Sequence, residues 1–456
     1  MLNISYLGSQ MNKTDSISPQ DNTVNLDDGS AITQSNSTEI NRSSKRYYIL
    51  FLLSVVCALA YMDRFVLSVL VEPIKLDLDL SDTQVGLLTG LAFALFYALF
   101  GIPFARLADR YSRSKIIAAS VTLWSVMTAA SGYATNFIQL LFARIGVGVG
   151  EAGCFPASHA FLADLFPGKQ KAFAIGIFQA GGTIGILAGL ILGGILSSKY
   201  GWHTTFIVLG LPGVLIGLVL WLTVDDKFRG KLLLKTSDDS QDDKSLIKTI
   251  NTLLNQKAYR NLLIGLSIGS FSNYGVIQWL PSFFIRSHEV TIDEIGVIYG
   301  MVVGLGTLLG TLAGALFAPK LIEKDQKWEV LWGAYSYLLV IPLFVSCFLV
   351  TNINLSFVLL FIGLFVITSG TGPSYAAIQS LASPKMRATA VALIMLAMSI
   401  VGQGFGPLFV GMLSDMLAVI FGEQSLRYAL CISMFIMVWG FVHLFISSKN
   451  IKKEAQ

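Results

Sequence analysis

From Tyr47 onward the chain consists of long apolar blocks separated by short polar breaks. Twelve blocks are long enough to cross a bilayer, with approximate limits 48–73, 83–105, 115–134, 136–162, 172–198, 204–223, 260–285, 294–318, 329–350, 354–381, 386–414 and 426–447. Each approaches or exceeds the ~20 residues that a helix needs to span the hydrocarbon core. A closed barrel would need short strands of alternating polarity, whereas these blocks are apolar on every side. Composition agrees, because 54% of the 456 residues are hydrophobic and only 13% are charged. A soluble domain carries roughly 25% charged residues. The chain reads as an all-α integral membrane protein with twelve transmembrane helices.

Charge placement supports the count. With the N-terminus set in the cytoplasm and the blocks alternating, four of the 32 Lys and Arg fall outside: Lys75, Lys199, Arg286 and Arg427. Two more, Arg64 and Arg144, lie within spans, and the other 26 fall inside. One miscounted helix would scramble that bias, so both termini are expected in the cytoplasm.

Residues 1–46 are polar, rich in Ser, Asn, Asp and Thr, and read as a disordered cytoplasmic tail without a signal-peptide pattern. The longest internal polar stretch, 224–259, reads as a cytoplasmic linker. It separates a six-helix bundle at 47–223 from a second at 260–448, with a short tail at 449–456. The halves repeat each other. Pro73, Gly86 and Gly90 match Pro281, Gly296 and Gly300, and the pair Pro156 and Pro167 matches Pro373 and Pro384. Two pseudo-symmetric bundles rocking about a midplane site are an architecture of alternating-access transporters.

Charges inside spans are the most informative residues, since a buried ionisable group in a membrane usually faces the bundle interior and works. Asp63 and Arg64 lie past the middle of the first span, and Arg144 and Glu151 lie in the fourth. The helical rise puts Asp63 about 22 Å from the inner end of its helix and Arg144 about 12 Å from the outer end of its own. These similar depths predict an Asp63–Arg144 pair, with Glu151 deeper toward the cytoplasm. A static lock between helices is the plain alternative, but two acids and two bases exceed what a lock needs. A proton site is the richer reading: a carboxylate that exchanges a guanidinium for a proton.

By the repeat, these four positions correspond to Phe271, Ser272, Phe361 and Thr368, so the second bundle lacks the charges. Its expected cavity residues are neutral: Asn273, Tyr274, Gln278 and Trp279, then Thr371, Ser374, Tyr375 and Gln379. A charged wall facing a lightly polar one suits a substrate with a polar head and an apolar body. The loop ARLADRYSRSK (105–115) is part positive-inside anchor and part patterned cluster. Asp109, Arg110 and Arg113, with Asp164 as the expected partner of Arg113, read as a cytoplasmic gate. Glycines recur every four residues at Gly181, Gly185, Gly189 and Gly193, and at Gly306, Gly310 and Gly314, spacings that permit close helix approach.

Other chemistry finds little support. GVGEAG (148–153) matches a dinucleotide fingerprint in form only, because it lies within a span without the strand that motif requires. Cys57, Cys154, Cys347 and Cys431 lie in apolar stretches and read as buried thiols, and the four histidines lack metal-ligand spacing. A net charge of +4 is too small and scattered for nucleic acid. No cofactor, metal or enzymatic constellation is expected.

The chain resembles the major facilitator superfamily, through ARLADRYSRSK and RIGVGVG (144–150), with Ala105 and Ser112 where that loop usually carries glycine. Within it, YMDRFVLSVLVEPI (61–74), RYSRSK and RIGVGVGEAG (144–153) are similar to the Spinster family and its bacterial relatives. That resemblance implies a proton-linked carrier of lipid-like solutes. It makes Asp63 and Glu151 proton-coupling acids, Arg64 and Arg144 their partners or head-group contacts, and Asp109, Arg110 and Arg113 a cytoplasmic gate. It also implies that helices 5 and 8 meet between the bundles, where both glycine ladders are expected.

The expected partners are a small amphipathic or lipid-like substrate, a proton (with Na⁺ as the open alternative) and membrane lipids. The expected setting is a monomer in a bacterial inner membrane. A multidrug/proton antiporter is the nearest rival within the class, and a membrane receptor or sensor the rival outside it.

Overall fold

The computed structural model describes residues 28–166, 169–224, 243–383 and 386–454, except for the side chains of 28–44, Asp109, Lys169, Ala172 and 243–246. Pro167, Pro384 and residues 225–242 of the polar linker lie outside the described residues.

The first crossing is α1 (Asp28–Asp77). The second joins α2 (Asp82–Gly86), a π-helical turn at Leu87–Leu91, and α3 (Ala92–Arg110). The third is α4 (Arg113–Ser131), and the fourth joins α5 (Phe137–Ala152) to α6 (Cys154–Leu165). The fifth and sixth both lie in α7 (Lys169–Thr223), where the chain breaks at Gly201 with φ 79°. A side chain there would be strained, so glycine suits the reversal.

The second half begins with a short helix, α8 (Asp243–Asn255), and continues with α9 (Lys257–His288), α10 (Ile292–Ile322) and α11 (Trp328–Leu349). The tenth crossing joins α12 (Ile353–Ser369) to α13 (Thr371–Leu381). The eleventh joins α14 (Arg387–Ala397), a π-helical turn at Met398–Gly404, and α15 (Phe405–Phe421). α16 (Ser425–Glu454) is the twelfth, so twelve crossings are present among the described residues.

Eight stretches among the described residues are apolar and long enough to span, and 173–223 and 387–454 each hold two crossings. The remaining crossings, α4 and α9, are more polar because they carry buried hydroxyls: Ser120, Ser125, Thr128 and Ser131 in one, Ser267, Ser270, Ser272 and Ser282 in the other. Ser131 and Ser267 satisfy theirs on the carbonyls of Met127 and Leu263 one turn back. These faces therefore look into protein rather than lipid.

The internal repeat is visible in the backbone. α5 and α6 meet at Gly153 (φ −80°, ψ −19°), and α12 and α13 meet at Gly370 (φ −77°, ψ −13°). These breaks are separated by the same spacing as Pro156 and Pro373.

The ends differ from the sequence reading. α1 starts at Asp28, inside the stretch read as a tail, while residues 1–27 lie outside the described residues. α8 occupies part of the stretch read as a linker, and its Leu253 is fully buried. α16 runs through the presumed C-terminal tail as far as Glu454, because that residue has a structural role. Its carboxylate accepts the backbone N–H groups of Lys257 and Ala258 at 3.2 and 2.8 Å, capping the start of α9.

The glycine ladders need a correction. Gly181, Gly185 and Gly189 abut the backbone of Ser54, Ala58 and Met62 in α1, and Gly193 abuts Val66. Gly306, Gly310 and Gly314 abut Phe361, Phe365 and Ser369 of α12. Both ladders thus pack helices within one half. The fifth and eighth crossings do meet, but through other glycines. Gly194 faces Ile292 and Gly296, while Gly296, Gly300 and Gly304 face Leu190, Ile191 and Leu187. A second seam joins the second and eleventh crossings, where Gly86 abuts Pro407 and Gly90 abuts Gly404.

Both seams lie toward the α1–α2 end. One apolar core there spans both halves, joining Val66, Leu70 and Leu88 to Val276, Trp279 and Phe283. A separate core, around Phe93, Trp124, Phe161 and Phe178, belongs to the first half alone.

Candidate functional site

Asp63 and Arg64 are neighbours on α1, so their side chains leave the helix about 100° apart and reach different helices. Asp63 turns toward α4 and α5. Its Oδ1 accepts the Thr128 hydroxyl at 2.7 Å, and its Oδ2 lies 3.3 Å from Arg144 Nη1. Arg64 donates its Nε to Glu151 Oε2 at 2.6 Å, with Nη2 equally close to the same oxygen. The sequence depths pointed to the Asp63–Arg144 pair; the structure contains it and a second pair beside it. Glu151 reaches Arg64 because it stands seven residues beyond Arg144, on the same face of the fourth crossing.

The four charges differ in access. The side chains of Asp63, Arg144 and Glu151 are 4%, 2% and 0% exposed, against 15% for Arg64. Arg64 is therefore the most accessible charge of this group. Among the described residues, Glu151 Oε1 and Arg144 Nε are buried without a hydrogen-bond partner.

A ring of aromatic side chains encloses Arg64. Its guanidinium carbon lies 4.8 Å from the Phe93 ring centre, 5.0 Å from Tyr97, 5.4 Å from Phe155 and 5.6 Å from Tyr61. Cation–π attraction to several ring faces stabilises a cation held away from bulk water. The rings support each other: Phe93 stacks on Tyr97 at 5.6 Å, and Tyr61 meets Phe155 edge-on at 5.9 Å. Sequence reasoning missed this cage. Its only signals were the four-residue spacing of Phe93 and Tyr97 and the three-residue spacing of Tyr61 and Arg64.

The opposite wall comes from the second half. Tyr274 is 37% exposed and lies within electrostatic reach of Arg64 and Tyr375. Asn273, Gln278 and Tyr375 are half-buried, and Thr371 and Gln379 are exposed. Asn273 Oδ1 and Gln278 Nε2 are buried without partners among the described residues. Two expected cavity residues are placed elsewhere. Trp279 is fully buried, and its indole N–H donates to the Pro407 carbonyl at 2.9 Å. Ser374 is buried and donates to the Gly370 carbonyl at 2.7 Å. Both are helix-packing residues here, because each polar atom is satisfied within its own half.

At the α3–α4 end, Arg113 Nη1 lies 2.6 Å from Asp164 Oδ2, the partner expected from sequence. This pair ties α4 to α6 within the first half. Arg110 is exposed, and the Asp109 side chain lies outside the described ones.

A larger ion cluster joins the two halves at the α1–α2 end, and sequence reasoning missed it. Arg286 of α9 donates Nη1 and Nη2 to the two oxygens of Asp82 at 2.8 Å each, and Nε to Glu72 at 2.9 Å. Lys75 Nζ joins Asp82 at 2.5 Å, and the Ser414 hydroxyl donates to Asp82 at 2.6 Å. Asp415 of α15 accepts the backbone N–H groups of Asp82 and Thr83 at 3.0 and 2.8 Å and the Thr83 hydroxyl at 2.6 Å. The second half thereby caps a helix of the first. The available signal was the exception to the charge bias, since Lys75 and Arg286 are two of the four basic residues assigned to the outside.

Comparison with known proteins agrees with this fold. A family model for the Major Facilitator Superfamily matches residues 53–407. An MFS-type efflux pump of Mycolicibacterium smegmatis is 34% identical over 83% of this chain and 86% of its own length. Protein spinster homolog 1 of Xenopus laevis is 26% identical over 86% of this chain and 78% of its own. Among solved structures, a bacterial homologue of the human lysosomal transporter Spinster, inward-facing and unoccupied, superposes with a TM-score of 0.81. It is 29% identical and covers 90% of this chain and 98% of that one. With two halves of six crossings and a family match across most of them, the chain belongs to the Major Facilitator Superfamily and is a membrane transporter rather than an enzyme.

Proposed function

We propose that this transporter is a proton-coupled carrier of an amphipathic, lipid-like organic solute. It works by alternating access in a bacterial inner membrane, with both termini in the cytoplasm. In that orientation the α1–α2 end faces outward and is shut, so the carrier stands open to the cytoplasm. The observation that carries the reading is the asymmetric quartet: two acids and two bases buried together, with Arg64 alone edged toward the cavity. With all four groups charged, the quartet is neutral. A proton on Glu151 leaves Arg64 without its counter-charge, and a polar head group can then engage that guanidinium; a proton on Asp63 does the same to the more deeply buried Arg144. Tyr61, Tyr97 and Tyr274 offer ring faces and hydroxyls to the rest of such a molecule.

A multidrug/proton antiporter is the second reading, favoured by the likeness to an efflux pump. One experiment addresses both. A ligand that binds the native state raises the unfolding temperature by mass action, so lysophospholipids, sphingoid lipids and cationic drugs are titrated at about pH 5.5 and about pH 7.5. The lipid-carrier reading expects stabilisation by a lysolipid that changes with pH and disappears in Glu151→Gln. Stabilisation only by cationic drugs would replace it with the antiporter reading.

A further inference from the structure

An unbalanced charge lies far from the quartet, at the α1–α2 end of the second half. Arg427 stands in the first turn of α16, and no acidic residue shares that turn. A cation is poorly placed there, because the start of a helix already carries partial positive charge. Arg286, nearby in the fold, has two carboxylates; Arg427 has neither an ion pair nor a hydrogen bond among the described residues, and its Nε is buried without a partner. His288 is in the same position. It ends α9, its Nε2 is buried without a partner, and it lies close enough to Arg427 to feel its charge. The two converge on one ring: the Arg427 guanidinium carbon is 5.9 Å and the His288 ring 5.5 Å from the centre of Phe283.

The backbone fixes this arrangement at some cost. The residue after His288, Glu289, adopts the left-handed conformation (φ 55°, ψ 30°), which a non-glycine residue takes up only with strain. Leaving buried donors unpaired also costs free energy, most of all for a charged group. An oxyanion would offset both electrostatic terms. It would take the guanidinium edge and the imidazole N–H in charge-assisted hydrogen bonds, and its charge suits the start of α16. The end of α15, which precedes α16, is apolar and open: Val419 is 90% exposed and Ile420 73%, and Phe421 packs on Tyr428 beside Arg427 in the chain.

We propose that Arg427 and His288, over Phe283, form a binding site for a phosphate oxyanion, either the head-group phosphate of a lipid or free phosphate. The test uses the purified full chain in a phosphate-free sugar detergent. Its unfolding temperature is followed while phosphatidylglycerol is titrated in one arm and inorganic phosphate in the other. The site predicts a saturable rise. A rise with the lipid alone identifies a head group, and a rise in the inorganic arm identifies a free anion. In either case Arg427→Gln weakens the apparent affinity about tenfold or more, the loss of a charge-assisted bond. His288→Gln weakens it several-fold and carries the test if the arginine variant does not fold. No rise in either arm, or equal affinity in the variants, overturns the proposal.

Discussion

The two carboxylates of the quartet hold unequal charges. Asp63 faces Arg144, which is 2% exposed and, among the described residues, meets a single aromatic ring, Phe93, at 5.9 Å. Glu151 faces Arg64, which is 15% exposed and surrounded by four rings. Removing one partner of a buried pair strands the other charge, at a cost of about 3–5 kcal/mol. Asp63→Asn should therefore lower the unfolding temperature more than Glu151→Gln, whose stranded arginine keeps its rings and some water. Equal losses in a thermal denaturation series would show that the cage contributes nothing. On the proposed function, both variants also lose uptake driven by a pH gradient while remaining folded by circular dichroism, and wild-type uptake in both would remove the coupling role. The quartet was legible in the sequence because charge within a span is rare. The cage was not, because among 30 Phe and 15 Tyr such helical spacings are common and do not single out the four that surround one guanidinium.

Helices of this chain approach closely wherever glycine allows it, but the approaches serve different ends. A Cβ on Gly185 would collide with the Ala58 carbonyl of α1, inside one half. A Cβ on Gly194 would stand 2.6 Å from the Ile292 carbonyl, across the seam between halves. Overpacking a tight contact costs about 1–3 kcal/mol, and what is lost depends on what that contact joins. Gly185→Ala should lower the unfolding temperature without changing the relation of the halves. Gly194→Ala should instead widen the α1–α2 end, read as a longer distance between spin labels on Tyr200 and Thr291. Both label sites are exposed, and the native cysteines are buried. An unchanged distance in Gly194→Ala would mean that the seam yields locally. The four-residue spacing of the ladders identified close packing from sequence. It could not identify the partner helix, because the direction a ladder faces depends on how crossings far apart in the chain assemble.

At the scale of the whole molecule, charges contributed by both halves join them at the α1–α2 end. Arg286 holds Glu72 and Asp82 of the first half from the second, and Asp415 caps α2 from the same side. The two devices differ in strength. When the halves part, α2 keeps a cap of its own, since the Ser81 hydroxyl accepts the Gln84 N–H and the Gln84 side chain accepts the Ser81 N–H. The loss of Asp415 is therefore partly compensated, at about the cost of one helix cap, ~1 kcal/mol. Arg286 has no such reserve: without it, Glu72 and Asp82 stay buried together, with Lys75 as the remaining cation bonded to Asp82. Losing Arg286 removes the ion pairs that join these first-half carboxylates to the second half, and parting the halves then gives both charges access to water. Arg286→Ala should thus shift the population toward opening at this end by well over tenfold, and Asp415→Ala by about tenfold or less. The same Tyr200–Thr291 label pair reports both. The reverse order, or no shift with Arg286→Ala, would place the closing force in the apolar core shared by the halves and leave the ion cluster as a passive consequence of closure.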